Sequence, residues 1–213
     1  MNRSVRILPI AFALGACLAG CTTPGLPQSE STSSQVQSTS TPAVRQTDDA
    51  GRALPFETEF PNRWSINNDG SPYEPCTQVS NETLRQFGLV ADSADDVAGS
   101  DFQTARGCRW KYGDDDMSFV AQFVGNIIRP AEGLTGHKKL NQAGKTWFPD
   151  TSLNGRRVLV SSIGAGACSV YIQSGSAVVV TTVSRFDLEP PPTQAVCEVA
   201  TDFLRATMSQ IPR

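Results

Sequence analysis

Six cysteines and one histidine are the residues through which this chain could do covalent or metal chemistry. Cys17 and Cys21 lie four apart at the end of an apolar run, Cys76, Cys108, Cys168 and Cys197 are spread over the rest of the chain, and His137 stands alone in L-T-G-H-K-K-L. Zinc needs converging sulfur and nitrogen ligands, and the chain offers neither C-x-x-C nor a second histidine. Nucleophilic catalysis needs a base beside a serine or cysteine. No G-x-S-x-G frames a serine, and the glycine and lysine neighbours of His137 predict an exposed loop histidine. The G-A-G-A-C of residues 164–168 lacks the Lys and Ser or Thr of a phosphate loop, so it predicts a strand connection. Glu57, Glu59, Asp150, Asp187 and Glu189 could meet in space, but nothing in their spacing demands it. The sequence therefore assigns no catalytic residue, no metal site and no cofactor.

The first cysteine is expected to fall within a leader and the second directly after it. Arg3 and Arg6 are followed by an uncharged I-L-P-I-A-F-A-L-G-A-C-L-A-G, too short for a comfortable membrane span and laid out as an export signal. Leu18-Ala19-Gly20-Cys21 resembles the lipobox of bacterial lipoproteins, which implies cleavage before Cys21 and a diacylglyceryl group on its thiol. Leu14-Gly15-Ala16-Cys17 competes, but Cys21 has the longer apolar run before it and the polar T-T-P-G directly after it. Burial of acyl chain contributes about 0.8 kcal/mol per methylene, so two chains anchor stably where one binds only marginally. Residues 1–20 are accordingly expected to be removed, with Cys21 holding the chain on the outer face of the cell membrane.

Residues 21–53, rich in Ser, Thr, Gln and Pro, hold almost no large apolar side chain and predict a disordered tether. About 30 such residues reach roughly 30 Å on average. Their Ser, Thr and Pro content is also compatible with O-glycosylation. The remainder, 54–213, is the size of a single domain. A net charge of −3, more acidic once Arg3 and Arg6 are lost, gives no nucleic-acid footprint.

The elements that must position these residues are readable in outline. Four cysteines in an exported domain point to two disulfides, and of three possible connectivities sequence order favours Cys76 with Cys108 and Cys168 with Cys197. Ser80 as N-cap, Val79 with Leu84 as a staple, and Gly88 as a stop predict a short helix near 81–87. G-C-R-W-K-Y and M-S-F-V-A-Q-F-V predict strands joined through Gly113 to Asp116, whose three aspartates lack the alternation of a calcium loop. R-R-V-L-V-S-S-I, A-C-S-V-Y-I-Q-S and A-V-V-V-T-T-V predict three neighbouring antiparallel strands. Thr193 is placed to cap a long helix whose Val196, Val199, Ala200, Phe203, Leu204 and Met208 share one face. Together these give an α+β fold, an antiparallel sheet against a short N-terminal and a longer C-terminal helix. Phe119, Phe123, Trp147 and Phe148 are expected in the core, with an apolar pocket as the alternative, and Lys138-Lys139 and Arg156-Arg157 on a solvated surface, with anionic lipid headgroups as the alternative.

Pro75-Cys76 before a helix, Cys108-Arg109-Trp110, a strand cysteine and a helix cysteine ahead of a terminal Ile211-Pro212, all behind a lipobox, resemble the actinobacterial lipoproteins grouped as domain of unknown function 3558. The resemblance spans about residues 60–212 and implies an envelope location, with Cys108 paired and Trp110 packed nearby. It implies no activity. The expected role is a non-enzymatic binding or accessory domain with an envelope protein or lipid partner, the alternative being a carrier or sensor of an apolar ligand.

Overall fold

The structure, a computed structural model, describes residues 43–213. The leader, Cys17, Cys21 and most of the expected tether lie outside the described residues. Where composition placed the end of the tether at residue 53, the chain is already ordered. Thr47 bridges Ala53, and the buried Asp48 carboxylate accepts the Ala50 and Arg52 N–H groups, each at 2.9 Å, and the Thr77 hydroxyl at 2.5 Å. This attachment rests on side-chain hydrogen bonds within a turn, which an argument from apolar content misses.

Two short helices come next. Glu74 caps α1 (Pro75–Gln78) by accepting the Cys76 N–H. Ser80 caps α2 (Asn81–Gln86) by accepting the Thr83 N–H at 3.0 Å, with Val79 and Leu84 both buried. The sheet is antiparallel and eight-stranded: β1 (Asp95–Asp96), β2 (Arg106–Lys111), β3 (Phe119–Asn126), β4 (Thr146–Trp147), β5 (Thr151–Leu153), β6 (Arg156–Gly164), β7 (Ala167–Ser174) and β8 (Ala177–Ser184). Its order is β1-β2-β3-β8-β7-β6-β4, with β5 also paired to β6. The three predicted β-branched runs are thus the meander β6-β7-β8, and β3 pairs with β8 rather than with the strand next in sequence.

Alternation along these strands creates two unlike faces. Val124, Val179, Ile172 and Val158 stand in register across the sheet, as do Gln122, Thr181, Val170 and Val160. These belong to the larger core beneath α4 (Thr193–Thr207), whose Val196, Ala200, Phe203 and Leu204 are buried. Burial contributes about 1.5–3 kcal/mol for each of Val196, Phe203 and Leu204, and less for Ala200. Trp110 packs within 6.1 Å of the Phe203 ring, and Phe87 meets that ring edge-on at 5.1 Å. Within this layer Gln122 accepts the Tyr73 hydroxyl at 2.6 Å and donates to Thr181 and Thr207, each at 2.9 Å. Disulfides Cys76–Cys108 and Cys168–Cys197 tie α1 to β2 and α4 to β7. Thr193 does not cap α4. Pro192 occupies the N-cap position and Thr193 begins the helix without a side-chain cap bond.

The crossover from β3 to the far edge of the sheet covers the opposite face. It carries α3 (Gly133–Leu140), whose Leu134 is buried with Ile127, Leu159, Tyr171, Val178 and Val180 in a second, smaller core. His137, expected in an exposed loop, lies half-buried on this helix. Among the described residues no helix is long and apolar enough to cross a membrane.

Candidate functional site

Because α3 spans only part of its face, it leaves a half-open groove of about 600 Å³. The floor is a strand-to-strand row, Phe123 beside Val180 beside Tyr171, flanked by Val178 and by the Ser169–Thr182 pair. Ser169 and Thr182 satisfy each other through a 2.8 Å hydroxyl contact, so the floor presents few unmet polar groups. His137, Leu140, Asn141 and Lys145 form one wall, and Ile66, Asn67, Thr104 and Ala105 the other.

The second wall is held in place by Asn126. Its amide donates to the Ile66 carbonyl at 2.9 Å and to Asp69 at 2.7 Å, and its oxygen accepts the Gly70 N–H at 2.7 Å. Gly125 allows this wall to approach: a Cβ there would stand 2.6 Å from the Thr104 carbonyl oxygen. At the rim, Ile66 and Ile128 are both 81% exposed, which places large apolar surface at the groove mouth.

The polar end is a chain of three side chains. The Lys145 ammonium donates to the Tyr171 hydroxyl at 3.1 Å, and that hydroxyl lies 2.9 Å from the buried Ser161 Oγ. Trp147 and His137 pack beside the Tyr171 ring at centroid distances of 5.3 and 5.5 Å. Burial, and then the neighbouring Lys145 charge, push the His137 pKa below its ordinary value. The imidazole is therefore neutral at pH 7, which leaves Lys145 as the cation of the groove. The buried Trp147 Nε1–H has no acceptor. This arrangement can hold an apolar body on the floor and a hydrogen-bond acceptor or anion at Lys145.

The residues singled out in the sequence are distributed differently from expectation. Phe123 lines the groove floor and Trp147 packs behind Tyr171, whereas Phe119 contacts Phe186 at 6.1 Å and Phe148 borders the larger core. Of the five carboxylates, Asp150 binds Lys138 and Arg157, Asp187 binds Arg185, and Glu57, Glu59 and Glu189 are exposed. Of the basic pairs, Arg156 donates to the Ile211 and Pro212 carbonyls and secures the C-terminus. The buried carboxylates are instead Asp48, which orders the turn described above, and Glu74, which binds Arg63 and Arg106 at the α1 side of the sheet, where the partly buried Asp96 also binds Arg63. Sequence reading missed Lys145, Tyr171 and Ser161. The available signal was the alternation Ser169-Tyr171-Gln173 opposite Cys168-Val170-Ile172, which marks a second, more polar face but does not reveal what covers it.

The family described as "Protein of unknown function (DUF3558)" matches residues 16–210. No curated protein matches the chain. Among solved structures, cyanobacterial PsbP (CyanoP) from Synechocystis sp. PCC 6803 superposes with a TM-score of 0.31 and 6% identity, covering 59% of this chain and 86% of that one. The extracellular domain of PknH from Mycobacterium tuberculosis gives 0.28 and 13%, covering 61% and 70%. Superpositions this partial carry no functional weight.

Proposed function

Since the chain belongs to the DUF3558 family, whose description names no activity, we propose a role read from its own residues: an exported, lipid-anchored binding domain that holds an amphiphilic ligand in the sheet–α3 groove. The observation that carries this reading is the pairing of an apolar floor with one polar end, Phe123, Val178 and Val180 leading to Lys145 and Tyr171. An acyl or similarly apolar chain would cover the floor, and an anionic head would take the Lys145 ammonium. The role is non-enzymatic, with Tyr171 and Ser161 orienting the lysine.

Export is supported by the leader and by two disulfides, which form in oxidising compartments. Anchoring rests on the lipobox-like Leu18 to Cys21. Cys21→Ala is expected to move the protein from the membrane fraction to the soluble fraction, read by detergent phase partition. Retention of the variant in the membrane would overturn Cys21 as the anchor.

The ligand reading is tested with a fluorescent fatty acid and the fatty alcohol of the same chain length. Val180→Trp fills the groove floor and is expected to weaken both probes at least tenfold. Lys145→Met keeps the apolar stem but loses the charge. A charge-assisted hydrogen bond contributes about 1.5–3 kcal/mol, so the acid should weaken roughly tenfold or more while the alcohol is unaffected. Equal binding of both probes by wild type and both variants would exclude the groove as the site.

A further inference from the structure

We propose that one end of the sheet, formed by residues 112–118, 162–166 and 185–191, is a docking surface for a protein segment that is both basic and apolar. The proposal is independent of the groove. Four large apolar side chains stand at this end, Ile163 near the end of β6 and the others on the connections: Met117 is 70% exposed, Ile163 71%, Phe186 58% and Leu188 fully exposed. Scattered exposed apolar residues are ordinary, but several on loops brought together at one end form a patch.

The three connections are tied into one surface. The Arg185 N–H donates to the Gly166 carbonyl at 2.7 Å, and the Phe186 N–H donates to Ser118 Oγ at 2.9 Å. The Arg185 guanidinium lies over Tyr112 at 4.4 Å and reaches Asp114 at 3.4 Å and Asp187 at 3.2 Å. A Cβ on Gly166 would stand 2.4 Å from the Arg185 carbonyl oxygen, so the turn between β6 and β7 lies directly against the chain leaving β8.

Charge selects the occupant. Interleaved in sequence with these apolar residues are Asp114, Asp115, Asp116, Asp187 and Glu189, so that acids outnumber the bases, Arg185 on the same connections and Lys111 at the end of β2. Arg185 is already shared between Asp114 and Asp187, and Asp115 accepts from Ser118 and from the Met117 N–H. Such an acidic excess repels an anionic bilayer. It also disfavours a second copy of a chain whose net charge is −3. The chain's own residues 22–42 carry no Lys or Arg. A partner segment with Lys or Arg around apolar residues complements both components, and such complementarity governs specificity and association rate.

The test uses full-length Cys21→Ala protein and two labelled peptides of equal length, one alternating Lys and Leu and one alternating Glu and Leu. Wild type is expected to bind the Lys-Leu peptide with an affinity that falls as salt rises, and to ignore the Glu-Leu peptide. Both Met117→Ser/Leu188→Ser and Asp116→Lys/Glu189→Lys should weaken binding at least tenfold, while Val180→Trp should not. All four tip positions are exposed, so the tip variants should retain the wild-type denaturation midpoint. Unchanged peptide affinity in both tip variants would overturn the proposal. So would tip variants that instead abolish binding to lipid vesicles or self-association measured by sedimentation.

Discussion

Glu74→Gln is expected to lower folding stability by about 3–5 kcal/mol, measured as the shift in urea midpoint at pH 7. Glu74 is 1% exposed and is shared by two guanidiniums: Arg63 at 2.7 Å, itself 0% exposed, and Arg106 at 3.1 Å, 2% exposed. Burial works against the Arg63 charge, yet the bonds and charges of Glu74 and Asp96 hold its pKa above the ordinary value. Burial pushes the Arg106 pKa down, with the Glu74 charge opposing that shift and Arg63 adding to it. Glutamine preserves the shape and removes one negative charge, leaving Arg63 with Asp96 and Arg106 with no carboxylate in contact. An arginine does not escape by losing its proton. The remaining Arg106 contacts, to the Tyr73 and Ser71 carbonyls at 2.6 Å each, solvate its N–H groups without neutralising it, and its Nε already lacks an acceptor. Asp95→Asn provides the contrast. Its partner Arg109 is 44% exposed, so screening keeps that pair within about 1 kcal/mol. A Glu74→Gln loss as small as the Asp95→Asn loss would mean that water reaches the network.

Removing the second disulfide should be the other large effect. Cys168→Ala/Cys197→Ala is expected to cost about 3–4 kcal/mol, since the bond closes a loop of 29 residues that the unfolded chain would otherwise explore. The consequence is local as well as global. Cys197 is the covalent link from α4 to β7, and α4 contributes Val196, Ala200, Phe203 and Leu204 to the larger core. Amide exchange in α4 should therefore accelerate more than in β3 or β8. Uniform acceleration across helix and sheet would show that α4 never opens separately. Cys76–Cys108 spans 32 residues, so chain entropy alone predicts a similar loss there. It also contacts the buried charges, Arg63 Nη2 lying 3.4 Å from Cys76 Sγ. Its removal should combine non-additively with Glu74→Gln, whereas removal of Cys168–Cys197 should add.

Elements with a strong internal period were legible from the chain. The spacing of Val196, Ala200, Phe203 and Leu204 gives α4, the β-branched runs give β6, β7 and β8, and Ser80 with Gly88 brackets α2. Where structure depends on side-chain hydrogen bonds or on the path between elements, the reading failed. Asp48 organises a turn that composition assigned to a tether. Gly133 and Gly136 disguise α3, although Gly136 is needed there: a Cβ would stand 2.5 Å from Glu132 Cβ. Pro190 to Pro192 lead directly into α4, so Pro192 takes the cap position assigned to Thr193.

By itself, then, the sequence determined the α+β class and the two-disulfide frame, because each rests on residue type and local spacing. The tertiary structure decided which face of the sheet stays open and which charges are buried. Lys145 meets Tyr171 across 26 residues, and Arg63 meets Glu74 at the start of α1 and Asp96 on β1. The Lys145 contact depends on the crossover that lays α3 over the second face, and the Arg63 contacts on the packing of residues 63–76 beside β1 and β2. No local period encodes that path, since it is selected by burying both faces of one sheet at once.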